Sequence, residues 1–126
     1  MRTNSGRDWQ SGVMADTAST GTGAYAPANW MGVTADDTAP DAGDTTLFGE
    51  IASGTLVRGQ ATYAHTTGAS SYTLTRNLTS DQSVELNKIG IFNAAAAGVM
   101  AFESPLNAPA TMEPGDQIQI THTVYL

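Results

Sequence analysis

The segment EPGDQIQITHTVYL, residues 113–126, constrains the fold more than any other stretch of the chain. Ile118, Ile120, His122, Val124 and Leu126 fall on one side of it, and Gln117, Gln119, Thr121, Thr123 and Tyr125 on the other. Alternation with a period of two over this length specifies a half-buried strand, because successive side chains of an extended backbone point to opposite faces. One face belongs in a core. The other is polar yet carries no charge.

The same period recurs upstream. SYTLTRNL (71–78) sets Tyr72, Leu74, Arg76 and Leu78 against Thr73, Thr75 and Asn77. LFGEIASGTLVRGQATYAHTT (47–67) contains a weaker strand at about 55–66, and Gly68, Ala69 and Ser70 join the two as a hairpin. NWMGVTA (29–35) and VMAFESPL (99–106) add two more, the second ended by Pro105 before a connector over 107–116. In SVELNKIGIFN (83–93), Val84 and Leu86 share one phase while Ile89 and Ile91 share the opposite one. One extra residue resets the inward face, so a β-bulge is expected near Asn87–Lys88. AAAAG (94–98) has room only for a short helical turn.

About six or seven strands, with turn signals between them and no amphipathic helical stripe, predict an all-β fold. The expected architecture is an antiparallel β-sandwich or jelly-roll-like domain over residues 29–126. Residues 1–28 have no clean period and are rich in Gly, Ser, Thr and Ala. They are expected to form an extended N-terminal arm, with Trp9 and Tyr25 as aromatic anchors. As a coil, such a segment spans roughly 30 Å r.m.s., enough to reach a neighbouring subunit.

Composition narrows the function classes. At 126 residues the chain is expected to be one domain, with no deep cleft between lobes. Net charge is −7, and Arg2, Arg7, Arg58, Arg76 and Lys88 are scattered. Nucleic-acid binding needs clustered cations to displace counterions, and anionic membranes need the same. Neither partner is expected. The absence of cysteine excludes disulfides and thiolate metal sites. No apolar run approaches the ~20 residues of a transmembrane helix, and no signal-peptide h-region is evident near residue 1. The expectation is a protein made in the cytoplasm, or assembled there into something larger. Charged residues are 13% of the chain, against the ~25% typical of globular domains. A surface this poor in charge suits burial against other subunits.

Candidate chemistry is sparse. His65 and His122 are the only histidines, and their flanks lack HxH or HxxE spacing, so both are expected as core or interface residues. Asp36, Asp37, Asp41 and Asp44 form an acidic loop that could hold calcium loosely, but the EF-hand spacing is absent and Asp, Pro and Gly are ordinary turn formers. There is no G-x-S-x-G elbow, nothing pairs any two of Glu50, Glu85, Glu103 and Glu113, and GTGAY (21–25) opens no strong helix. No catalytic residue, metal or cofactor is assigned. Trp30 is expected in the core. Trp9, Tyr25, Gln117, Gln119, Thr121, Thr123 and Tyr125 are expected at subunit contacts, since aromatic anchors and uncharged polar groups bury without stranding a charge.

Two segments carry a resemblance. VTADDTAPDAGDTTLFGEI (33–51) has the pattern T-x-D-x-x-x-P-x-x-x-x-T-x-L-x-G-E-I. LNKIGIFNAAAAGVMAFESPLNAPATMEPGDQIQITHTVYL (86–126) has the pattern I-G-I-F-N/D-A, then G, F and P-L, then G-D-x-I-x-I-T-x-T-V-x-L. Together they resemble small structural proteins of tailed bacteriophages, described as head decoration (cement) proteins or as tail and fibre proteins. The resemblance covers about half the chain. It implies a non-enzymatic β-domain of the virion, assembled in the host cytoplasm, whose partners are the major capsid protein and copies of itself in a trimer or other cyclic oligomer. It supplies no catalytic positions. A decoration protein is the expectation, ahead of a tail, neck or fibre component. A carbohydrate-binding sandwich is the rival of a different class, predicting an exposed aromatic platform at Trp30.

Overall fold

The computed structural model describes residues 1, 3–18 and 25–126. Seven strands are found among them: β1 Trp30–Thr34, β2 Gly59–Gln60, β3 Thr62–Ala64, β4 Ser71–Thr79, β5 Val84–Phe92, β6 Met100–Met112 and β7 Gln117–Tyr125. They form a four-stranded sheet in the order β2-β1-β5-β6 and a three-stranded sheet in the order β3-β4-β7, antiparallel throughout. The chain is an all-β sandwich. Met31 and Val33 of β1 and Leu86, Ile89 and Ile91 of β5 bury against Tyr72, Leu74 and Leu78 of β4 and Ile120 and Val124 of β7. Each such side chain taken from water contributes roughly 1.5–3 kcal/mol before ordering costs.

The phase break in β5 is real. Register shifts between Leu86 and Lys88, where two steps along β5 oppose five along β6, from Ala110 to Pro105. Leu86, Ile89 and Ile91 thereby all reach the core, and Lys88 turns to the other face.

Three expectations are corrected. The strand expected at about 55–66 is divided. After a 3-10 turn at Gly54–Leu56, β2 pairs with β1, Ala61 donates its N–H to the Asn29 carbonyl at 2.8 Å, and β3 pairs with β4. The chain changes sheets at Ala61, and the small residues Gly59 and Ala61 that blur the alternation permit the bend. The strand expected to stop at Pro105 instead runs to Met112, taking in residues 107–112 of the expected connector. β6 is an edge strand, so a residue without an N–H is tolerated.

The third correction concerns the arm. Asn4–Ala15 form a helix, α1, not an extended segment. Thr3 caps it, its hydroxyl accepting from the Gly6 N–H at 3.1 Å. Asp8, Ser11 and Ala15 recur at helical spacing on the side turned to the sandwich, where Ser11 and Ala15 are fully buried. Ala15 and Ala28 belong to the same core cluster as the strands, so the expected boundary at residue 29 does not separate two bodies. Part of the expected arm, residues 19–24, lies outside the described residues.

Candidate functional site

Alternation in the three-stranded sheet sorts its side chains by chemistry. The inner face carries Tyr72, Leu74, Arg76 and Leu78 of β4 and Ile118, Ile120, His122 and Val124 of β7. The outer face carries Ser71, Thr73, Thr75, Asn77 and Thr79 of β4, Gln117, Gln119, Thr121, Thr123 and Tyr125 of β7, and Thr62 and Ala64 of β3. None of these twelve residues is charged at neutral pH, in a chain of net charge −7. β4 and β7 pair in unbroken register from Ser71↔Tyr125 to Thr79↔Gln117. Their outer side chains interlock: Thr75 and Thr121 hydroxyls lie 3.3 Å apart, and Gln119 Nε2 donates to Asn77 Oδ1 at 3.0 Å.

The five residues of β7 expected at a contact are therefore brought together on one exposed face. Tyr125 is 80% exposed, and Trp9 and Tyr25 are exposed at 71% and 86%. Trp9 stands on α1, on the side away from its buried Ser11 and Ala15. Trp30 is half-buried in β1, flanked by Gln60 and Phe92 on the neighbouring strands, and offers no open platform.

Charge concentrates elsewhere. Lys88, the chain's single lysine, has a side chain only 3% exposed. Its ammonium donates to Asp36 Oδ2 at 2.8 Å, Glu103 Oε1 at 2.6 Å and the Thr38 carbonyl at 3.0 Å, which uses all three N–H groups. Burial disfavours its charge, but the hydrogen bonds it donates to Asp36 and Glu103 prevail and hold it above the ordinary lysine value. The Lys88 hydrogen bond in turn holds Asp36 below the ordinary carboxylate value. A lysine kept protonated and fully bonded has no lone pair for nucleophilic chemistry. The cluster borders an open cleft of about 450 Å³, also lined by Asp44, Thr46 and Phe48.

The acidic loop does not gather its carboxylates. Asp36 is engaged by Lys88, Asp41 Oδ1 accepts from Gly43 N at 2.7 Å, and Asp44 Oδ2 accepts from Asp41 N at 3.2 Å. These are turn-forming bonds. Asp37 is exposed. Among the described residues, no three His, Asp or Glu side chains come together in a metal-holding group.

The histidines have unlike surroundings. His65 Nε2 lies 2.8 Å from Asp8 Oδ1 and its Nδ1 lies 2.9 Å from the Ser71 carbonyl. Both neighbours are acceptors, so only the imidazolium satisfies both. The Asp8 hydrogen bond raises the His65 pKa, and bonds from the Gly68 N–H and His65 lower that of Asp8. With Ser11 hydroxyl 2.5 Å from the Tyr63 phenol, this pair fastens α1 to the β3–β4 hairpin. His122 lies on the inner face of β7, its ring 5.5 Å from that of Phe102, with Nε2 buried and unpartnered. Burial lowers its pKa.

Two further ties, like those of Lys88 and His65, were not read from the sequence. Glu50 and Arg58 form a two-point pair at 2.8 and 2.6 Å, with the guanidinium over the Phe92 ring and bonded to the carbonyls of Ala94 and Ala97. Arg76 crosses the core from β4 to the carbonyls of Met31 at 2.7 Å and Val57 at 2.6 Å, joining the two sheets. One signal was available: Lys88 and Arg76 are cations in otherwise apolar strand phases, which requires buried partners. No helix among the described residues is long and apolar enough to cross a membrane. No family model matches the chain, and no curated protein is significantly similar to it.

Proposed function

We propose that this chain is a structural protein of a tailed-bacteriophage virion, a decoration protein that binds the head shell through the outer face of its three-stranded sheet. The observation that carries this reading is that twelve-residue face, charge-free in a chain of net charge −7. An acidic protein kept apart from its neighbours has every reason to spread carboxylates over such a face. A surface that is buried in an assembly has reason to omit them, because a desolvated unpaired charge is strongly unfavourable. Exposed Trp9, Tyr25 and Tyr125 add side chains of the kind that anchor interfaces. The resemblance over 33–51 and 86–126 supports the virion setting. The role is non-enzymatic: the cleft beside Lys88 presents a saturated ammonium, not a free base or nucleophile.

Many weak contacts suffice for such a protein, since copies held on adjacent capsomers bind at high effective concentration. Its partners are the major capsid protein and copies of itself, and its place is the outside of the particle, where an acidic chain avoids the genome.

The test is a density map of the particle by electron cryomicroscopy, paired with co-sedimentation of the purified chain with shells that lack it. Density on the head shell, and loss of shell binding on Thr73→Glu, are expected. Density confined to the tail, neck or fibres replaces decoration by that role. A protein absent from purified particles overturns the virion reading.

A further inference from the structure

Four strands end the two sheets, and three of them are short or guarded. β2 has two residues and β3 has three. β6 is long, but it carries Glu103, Pro105 and Pro109 and breaks register against β5. Prolines, charges and bulges are the devices that stop an edge from recruiting another strand. β7 has none of them. It runs nine residues, Gln117–Tyr125, without a proline, an acid, a lysine or an arginine. β4 occupies one side of it in unbroken register, and no strand among the described residues occupies the other. The outward backbone groups of β7 form a ready template.

We infer that β7 pairs with β7 of a second copy, antiparallel about a two-fold axis near Thr121, joining two three-stranded sheets into one of six strands. This rests on the assembly role proposed above and specifies one of its contacts. A second copy is the favoured occupant on grounds of charge. Each copy has a net charge of −7, and a neutral seam is where two copies meet with the least like-charge repulsion, since it places no carboxylates face to face. A basic partner would be drawn to the carboxylates, and β7 has none. About Thr121, Gln117 faces Tyr125, Gln119 faces Thr123 and Thr121 faces its own counterpart. All are uncharged, and the Thr121 pair repeats the Thr75–Thr121 contact that already joins β7 to β4. On the inner face, Ile118 meets Val124 and Ile120 meets His122, extending the core across the seam. Ile118 and His122 are half-buried at this edge and gain cover from the partner. A two-fold contact uses the same patch twice, so one neutral strand suffices.

Sedimentation velocity of the full chain tests this, together with a cysteine placed on the seam. The chain has no native cysteine, so Thr121→Cys gives an unambiguous background. The wild type is expected to dimerise with rising concentration, and Thr121→Cys to form a disulfide-linked dimer on mild oxidation. Thr121→Glu sets two carboxylates face to face and is expected to weaken the dimer by about tenfold or more. Thr73→Glu puts the same charge on the same face one strand further in, and is expected to leave the dimer intact while weakening shell binding. A wild type that stays monomeric, or a dimer in which Thr121→Cys does not cross-link, overturns the inference. The cross-link decides the matter even if Thr121→Glu fails to fold. Shell binding by a monomer would remove this contact and leave the decoration role standing, whereas a robust dimer with no affinity for particles would do the reverse.

Discussion

The two sheets handle charge in opposite ways. Around the four-stranded sheet, Lys88, Asp36 and Glu103 close on one another beneath the acidic loop, and Glu50 and Arg58 hold the 94–97 loop. The outer face of the three-stranded sheet has no charge, and Arg76, on the inner face, reaches backbone carbonyls between the sheets. In the first region the charges are paired with one another and structural, although Glu103 Oε2 is buried without a partner. In the second it is excluded. The difference teaches that a low charge content is not spread evenly: the ions present brace long loops, and the face they vacate is left uncharged.

The largest test of this contrast is Lys88→Met. It leaves the Glu103 carboxylate, 6% exposed, without its cation, and is expected to destabilise the fold by about 3 kcal/mol in denaturant unfolding. A change below about 0.5 kcal/mol would mean that the cluster braces nothing. Next comes Arg76→Met, which strands the Met31 and Val57 carbonyls between the sheets; a loss of about 2 kcal/mol is expected.

Smaller and opposite effects come from the histidines. Burial lowers the His122 pKa, so the unfolded chain binds the proton more readily and stability falls as pH drops below about 6.5 toward the folded value. His122→Leu should flatten that decline in thermal melts. His65 is raised by Asp8, so its contribution is full below about 6.5 and is lost as pH rises through the folded value. His65→Gln should remove that alkaline loss, and hydrogen exchange should place the change in α1. Asp8 works in the other direction, its lowered pKa adding stability that is lost as pH falls through it.

The smallest effect on stability is expected on the neutral face. Thr73→Glu should shift unfolding by no more than about 0.5 kcal/mol, as surface substitutions do, while reducing shell binding. A large loss of stability instead would mean that the face is needed for folding, and the contrast between the sheets would lose its meaning.

Much of the sandwich could be read in one dimension. β4, β5 and β7 declare themselves because strand alternation is local, and the register break between β5 and β6 shows as a phase slip in the same pattern. The polar stripe of β7 was legible for the same reason. Helix α1 was not, because its inward side is mostly small or polar, Asp8, Ser11 and Ala15 with Met14 the large apolar side chain against the core, and Gly6 and Gly12 interrupt the segment. Such a segment has little helical tendency of its own and is stabilised by bonds to Tyr63, His65 and Gly68, more than fifty residues away.

Periodicity therefore decided which residues face in and which face out, since side-chain direction depends only on neighbours in the chain. Which strand ends a sheet, which carboxylates reach Lys88, and where the chain crosses from one sheet to the other were decided by tertiary structure alone. Those are pairings between distant segments, and nothing in the local pattern of one partner encodes the position of the other.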